Sequence, residues 1–243
     1  MPKDIRYLKG VGERRAALFN KKGIKTVEDL LYYFPRSHED RSETKEIEIC
    51  MEGDTVCVSV TVFSPVKDTQ VRRTLVVSTM AVCDSTGALN IVWYNNRYVK
   101  GRFMTGDEYI MYGKITRSRG KLEMVNPVYE KKGDERFTGK IVPLYPLTEG
   151  LTQKLLQSSM ELAIKDTGRL EEYIPSEIRD KYNIAELNYA MKNIHFPDDY
   201  ESYNIARERF VFEELLILQL ALLSKRDDNT SREGVVFEDI LCV

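Results

Sequence analysis

The sequence predicts an α+β protein in which a five-stranded antiparallel barrel sits between two helical regions. Three observations carry this. From residue 52 to residue 129 apolar residues recur at every second position, which turns one face of each strand toward a core. Before residue 45 and beyond residue 141 the apolar spacing lengthens to three and four, the period of a helix. The alternation lapses between residues 95 and 107, an interruption between a third and a fourth strand. The expected organisation is therefore 1–45, helical with a glycine hairpin; 46–140, the barrel; and 141–243, helical with one long helix.

In the first region, Ile5, Leu8, Ala16 and Phe19 frame the segment Leu8-Lys9-Gly10-Val11-Gly12. Gly10 and Gly12 permit a tight turn, and a helix is expected from Glu13. With Arg14, Arg15, Lys21 and Lys22 nearby, Gly10, Val11 and Gly12 are candidates for holding a DNA phosphate through backbone N–H groups, as a helix-hairpin-helix motif does. A plain helical turn packed on the next domain is the alternative. Gly23 closes the helix. Thr26 starts another, with Asp29 in the place of a capping-box acid and Pro35 as its stop. Residues 36–44 are polar and read as a linker.

Val56, Val58, Val60 and Val62 alternate with Cys57, Ser59, Thr61 and Phe63 as the first strand. A loop is expected over 64–70, then strands over 73–83, 88–94, 109–116 and 121–129. Turns fall at Asp84-Ser85-Thr86-Gly87, Thr105-Gly106-Asp107 and Arg119-Gly120. Five short strands with that interruption describe an OB-fold; another small barrel or a sandwich is the alternative.

The third strand leads into the chemistry. Leu89, Ile91 and Trp93 share one face and read as core; Asn90, Val92 and Tyr94 share the other. After Asn95-Asn96 come Arg97, Tyr98 and Lys100. Aromatic rings and cations clustered at a barrel edge suit stacking on unpaired bases, so Tyr94 and Tyr98 are the candidate stacking residues. The bland alternative makes all three aromatics core. Candidate phosphate contacts are Arg72, Arg73, Arg97, Lys100, Lys114, Arg117, Arg119 and Lys121, on or beside the loops that frame an OB ligand groove.

The segment between Gly133 and Lys140 is not a phosphate-binding loop. Five residues separate Gly133 and Gly139 where four are needed, and Ile141 stands where Ser or Thr would meet magnesium. No catalytic residues and no cofactor are expected in this chain. Beyond it, helices are expected over 152–166, 176–182 and 184–195. A long helix should run from residue 198 or 199 to about 225, with an apolar surface wide enough to need cover on several sides. The apolar pattern that restarts at Val235 is cut off at Val243, as in a fragment that ends where another domain begins.

Composition bounds the class. Of 243 residues, 42% are hydrophobic and 30% charged, as in a globular protein. No apolar run approaches a membrane span, and the N-terminus lacks a signal-peptide core, so a cytoplasmic protein is expected. Cys50, Cys57, Cys83 and Cys242 have no zinc-like spacing, and only His38 and His195 could join them; reduced thiols and no metal are expected. The net charge of −2 hides an asymmetry. Residues 1–45 carry 11 Lys and Arg against 7 Asp and Glu, whereas residues 131–243 carry 15 against 21. A polyanion would meet the first half of the chain.

Several stretches resemble the N-terminal region of the RecG family of bacterial branched-DNA helicases. They include Leu8-Lys9-Gly10-Val11-Gly12, Thr26-Val27-Glu28-Asp29-Leu30-Leu31-Tyr32-Tyr33-Phe34-Pro35 and Glu39-Asp40-Arg41-Ser42. Tyr145-Pro146-Leu147-Thr148-Glu149-Gly150-Leu151, Ile194-His195-Phe196-Pro197 and residues 206–216 follow in the family's order. The resemblance implies that the barrel is the family's wedge domain, an OB-fold that splits DNA strands at forks and Holliday junctions during recombination and repair. It also implies that Tyr94 and Tyr98 occupy the positions of the aromatics that stack on bases at the fork. The family's ATP- and magnesium-dependent motor domains would follow the chain's end. A monomer is expected, bacterial, cytoplasmic and nucleoid-associated, with branched DNA as partner and replication or repair proteins as further ones. The alternatives from the residues alone are a general single-stranded nucleic-acid-binding module and a protein-docking scaffold.

Overall fold

A computed structural model describes residues 3–230, apart from 97, 119 and 135–137, and apart from the side chains of 227–230. The chain opens with a 3-10 turn, Ile5–Tyr7, followed by α1 (Gly12–Asn20) and α2 (Val27–Leu31). Thr26 caps α2 in the expected box: its hydroxyl accepts from the Asp29 N–H at 3.0 Å, and the Asp29 carboxylate accepts from the Thr26 N–H at 2.9 Å.

The expected linker holds a strand, β1 (Ser37–Asp40). It pairs antiparallel with β9 (Ile141–Leu144), which lies a hundred residues on. Its polar residues give no periodic signal, because the partner that makes it a strand is remote in sequence.

The barrel region contains β2 (Thr55–Val62), β3 (Lys67–Arg72), β4 (Leu75–Cys83), β5 (Ala88–Tyr94), β6 (Glu108–Ser118), β7 (Lys121–Val125) and β8 (Val128–Lys131). Pairing runs β2–β4–β5–β7–β6, and β6 pairs again with β2. All of these pairs are antiparallel except β5 with β7. The register of β2 on β4 is limited to Thr61↔Cys83 and Val62↔Val82, so the barrel is not closed along its length. The predicted α+β class and OB-like architecture are what is seen. Two strands differ from expectation. The segment read as a loop is β3, which hydrogen-bonds to β4. The fifth strand divides at Asn126-Pro127 into β7 and β8, because Pro127 supplies no N–H to a ladder.

Inward residues of the barrel alternate as the sequence requires. Val58, Val60, Met80, Ile91, Trp93, Met111, Ile115 and Met124 form one core. A second core joins the two ends of the chain: Leu8, Phe19 and Leu30 pack with Tyr145, Met160, Leu187 and Phe210. The later helices are α3 (Gln153–Thr167), α4 (Ser176–Tyr182), α5 (Leu187–His195) and α6 (Tyr200–Thr230).

Buried polar groups tie this second core together. His195 on α5 is fully buried; its Nδ1 faces the Tyr145 hydroxyl at 3.0 Å and its Nε2 the Leu31 carbonyl at 2.7 Å. A carbonyl only accepts, so Nε2 carries the proton and Nδ1 accepts from Tyr145. Burial pushes the imidazole pKa down to about 4 and keeps the ring neutral. Arg209 on α6 is also buried and donates to Glu172 at 2.9 Å. Farther along α6, Leu215, Ile217, Leu218, Leu220, Leu222 and Leu223 are all exposed.

Candidate nucleic-acid interface

β5 changes from buried to exposed at its last residue. Trp93 is 1% exposed and its ring stacks on Phe103 with centroids 5.4 Å apart. Phe103 in turn meets Tyr109 and Tyr129, each at 4.8 Å. These four rings fill one end of the barrel and make a stiff base. Tyr94, on the opposite face, is 47% exposed, and Tyr98 is 87% exposed. Trp93 is therefore core, as the alternation required, and the two tyrosines are not.

Two asparagines in left-handed conformation fix the backbone around Tyr94. Asn95 has φ 54° and Asn126 φ 47°, a region where Asn is among the few tolerated residues. Asn95 donates its N–H to the Val76 carbonyl at 2.8 Å, and its side-chain oxygen accepts from the Val76 N–H at 2.9 Å. Asn126 donates to the Val92 carbonyl at 2.8 Å, and its side-chain oxygen accepts from the Tyr94 N–H at 3.2 Å. The Tyr98 N–H donates to the Asn96 side chain at 3.1 Å, and the buried Val99 pins the loop beneath Tyr98.

The candidate cations fall into separate sets. Val77 on β4 is level with Tyr94 on β5, so the β3–β4 turn with the exposed Arg72 and Arg73 lies just past Tyr94. Lys100 shares this end; its ammonium is 3.7 Å from Asp68, whose carboxylate also accepts from Ser78 at 2.7 Å. Arg117 and Lys121 lie elsewhere. β7 runs parallel to β5, with Asn90 opposite Glu123, so the β6–β7 turn sits at the Ala88 end. Six residues of strand separate it from Tyr94, roughly 20 Å. There Arg117 donates to the Gly120 carbonyl at 3.2 Å and stands 3.6 Å from Glu52. Lys114, opposite Thr55, is exposed on the β2–β6 side and not on the strand pair that carries Tyr94. Arg97 and Arg119 lie outside the described residues.

Two further cations lie outside the sequence pattern. Lys67 is exposed on β3, within the segment read as a loop. Arg102, four residues after Tyr98, donates to the Tyr129 hydroxyl at 3.0 Å with its guanidinium 5.8 Å from that ring. Its spacing from Tyr98 was the available signal.

The glycine hairpin takes the conformation that glycine allows, with φ 84° at Gly10 and 57° at Gly12. A three-residue 3-10 turn stands where a first helix would be. Val11 is buried in the second core, and its N–H donates to the Leu8 carbonyl at 3.0 Å. The segment packs as a turn against the helical core.

Gly139 and Lys140 lead into strand β9, where a phosphate-binding loop would open a helix. Among the described residues no three His, Cys, Asp or Glu side chains gather to hold a metal, and no helix is long and apolar enough to cross a membrane.

The class of module these residues form is an OB-like barrel with exposed rings and cations at one end. The family model described as RecG wedge domain matches residues 4–167, and the chain belongs to that family. It is 30% identical to the ATP-dependent DNA helicase RecG of Thermotoga maritima over 96% of this chain and 30% of that protein. To the Synechocystis protein of the same name it is 28% identical over 93% of this chain and 29% of the relative. The chain thus spans about 30% of the length of these relatives. A solved structure described as RecG bound to a three-way DNA junction superposes with a TM-score of 0.83 at 29% identity, covering 98% of this chain and 33% of that one.

Proposed function

We propose that this chain binds branched DNA and acts as the strand-splitting wedge of a RecG-like helicase in recombination and repair. The observation that carries this is the pair Tyr94 and Tyr98: exposed rings on a backbone fixed by Asn95, Asn126 and a buried aromatic base. A base at a fork has lost one stacking neighbour, and a ring held in place restores that contact. Arg72, Arg73 and Lys100 supply phosphate contacts next to the rings, and Lys67 and Arg102 extend that set. Arg117 and Lys121 provide a second set roughly 20 Å away, with Arg119 assigned to it by sequence. ATP hydrolysis belongs outside these residues. The chain acts as a monomer, in the bacterial nucleoid, with replication or repair proteins as further partners. Titration against a fork, a single strand and a blunt duplex at one salt concentration tests the function. Preference for the fork supports it; equal affinity for the single strand favours a general single-strand binder.

A further inference from the structure

β3 is exposed along its whole length, Lys67–Arg72, on both of its faces. Among the described residues its ladder is with β4 alone. A strand that buries neither face contributes little to a core, and a two-stranded ribbon is marginal by itself. This ribbon is nevertheless well anchored. Ser78 donates to Asp68 at 2.7 Å, Lys100 stands 3.7 Å from the same carboxylate, and Val76 is clipped on both sides by Asn95. These contacts hold the ribbon in one orientation relative to Tyr94 and Tyr98.

Its dimensions and chemistry suit one partner surface. From Val77, level with Tyr94, the ribbon continues three to four residues to the turn at Arg73 and Thr74. That is a reach of about 10 Å. The major groove of B-DNA is about 12 Å wide and admits a two-stranded β-ribbon as it stands, whereas the minor groove, about 6 Å wide, must be widened to take one. The tip carries Arg72 and Arg73 for phosphates or guanine edges. It also carries Gln70 and the 57%-exposed Val71, at a break in register that turns side chains outward.

We propose that the β3–β4 ribbon enters the major groove of the duplex arm whose last base pair meets Tyr94. This rests on the fork-binding function above. With one phosphate per strand every 3.4 Å or so, a reach of about 10 Å covers the first three or so base pairs of that arm.

Dimethyl sulfate footprinting tests it, because guanine N7 lies in the major groove. Forks carrying guanines in the first three or so base pairs of each arm are saturated with protein. The expected result is an N7 reactivity at least about fivefold lower on one arm. Protection should vanish in a variant in which Asn-Gly replaces residues 71–75, so that Gln70 and Val76, which already face each other, close a two-residue turn. It should also vanish in the doubly substituted Arg72→Ala, Arg73→Ala protein, which serves if the shortened ribbon does not fold. Protection that survives both changes, or bound forks with reactive N7 throughout, overturns the ribbon's role and leaves fork binding standing. Failure of the unaltered protein to bind forks at all overturns both.

Discussion

The side-chain oxygen of Asn126 accepts the backbone N–H of Tyr94 at 3.2 Å. Asn126 belongs to the break between β7 and β8, and Tyr94 ends β5. A residue in left-handed conformation therefore aims the ring that the fork is expected to meet. Asn126→Gly keeps that backbone conformation accessible and removes the acceptor. Loss of one such hydrogen bond costs about 1 kcal/mol, so fork affinity should fall roughly fivefold, while Asn126→Asp, which keeps an acceptor, should fall less. Equal affinity of Asn126→Gly and the unaltered protein would show that the ring does not need this anchor.

The separation of the cation sets predicts a length dependence. An arm must exceed about six base pairs to span roughly 20 Å. Arg117→Ala and Lys121→Ala should weaken binding of forks with long arms and spare forks whose arms are trimmed below that length. Arg72→Ala with Arg73→Ala should weaken both. If each arginine meets a phosphate, the pair should also lower the slope of log affinity against log salt by about 1.8. An equal response of short and long arms to Arg117→Ala would contradict the assignment.

Much of this was legible in the sequence. The alternation of β2 and β5 determines which residues face inward, so it separates Trp93 from Tyr94 by itself. Thr26 and Asp29 announced α2. What escaped was whatever depends on partners remote in sequence. β1 is polar and becomes a strand through β9. β3 is exposed on both faces and has no period to read. The parallel pairing of β5 with β7, which parts Arg117 from Tyr94, leaves no local trace. Arg209 looks like a surface cation on a helix, yet it is buried because Glu172 comes from another segment to meet it.

His195 predicts how stability responds to acid. Its pKa is about 4 in the fold against 6.5 ordinarily. Between those values the unfolded chain binds a proton that the folded chain excludes. The contribution is therefore complete above about pH 6.5 and is lost as the pH falls toward 4, amounting to roughly 3 kcal/mol. Urea midpoints measured at pH 7 and pH 4.5 should differ, and His195→Gln should narrow the difference. Identical midpoints for the unaltered protein would contradict a buried neutral ring.

Trp93→Ala removes the ring that stacks on Phe103 and leaves a cavity in the barrel end. The expected cost is about 3–5 kcal/mol, seen as a lower melting temperature. Tyr98→Ala, at a side chain 87% exposed, should melt close to the unaltered protein. A Tyr98→Ala protein as unstable as Trp93→Ala would place Tyr98 in the core.

The most direct measurement is a paired titration of Tyr94→Ala and Tyr98→Ala with a fork and with a blunt duplex of the same sequence. Stacking on an aromatic is worth about 1–3 kcal/mol per base, so each substitution should weaken fork binding by roughly 5- to 150-fold. Duplex binding should change little, and each Tyr→Phe should be nearly silent because the ring face makes the contact. Equal weakening of fork and duplex by folded Tyr→Ala proteins, or no weakening of either, would contradict the account.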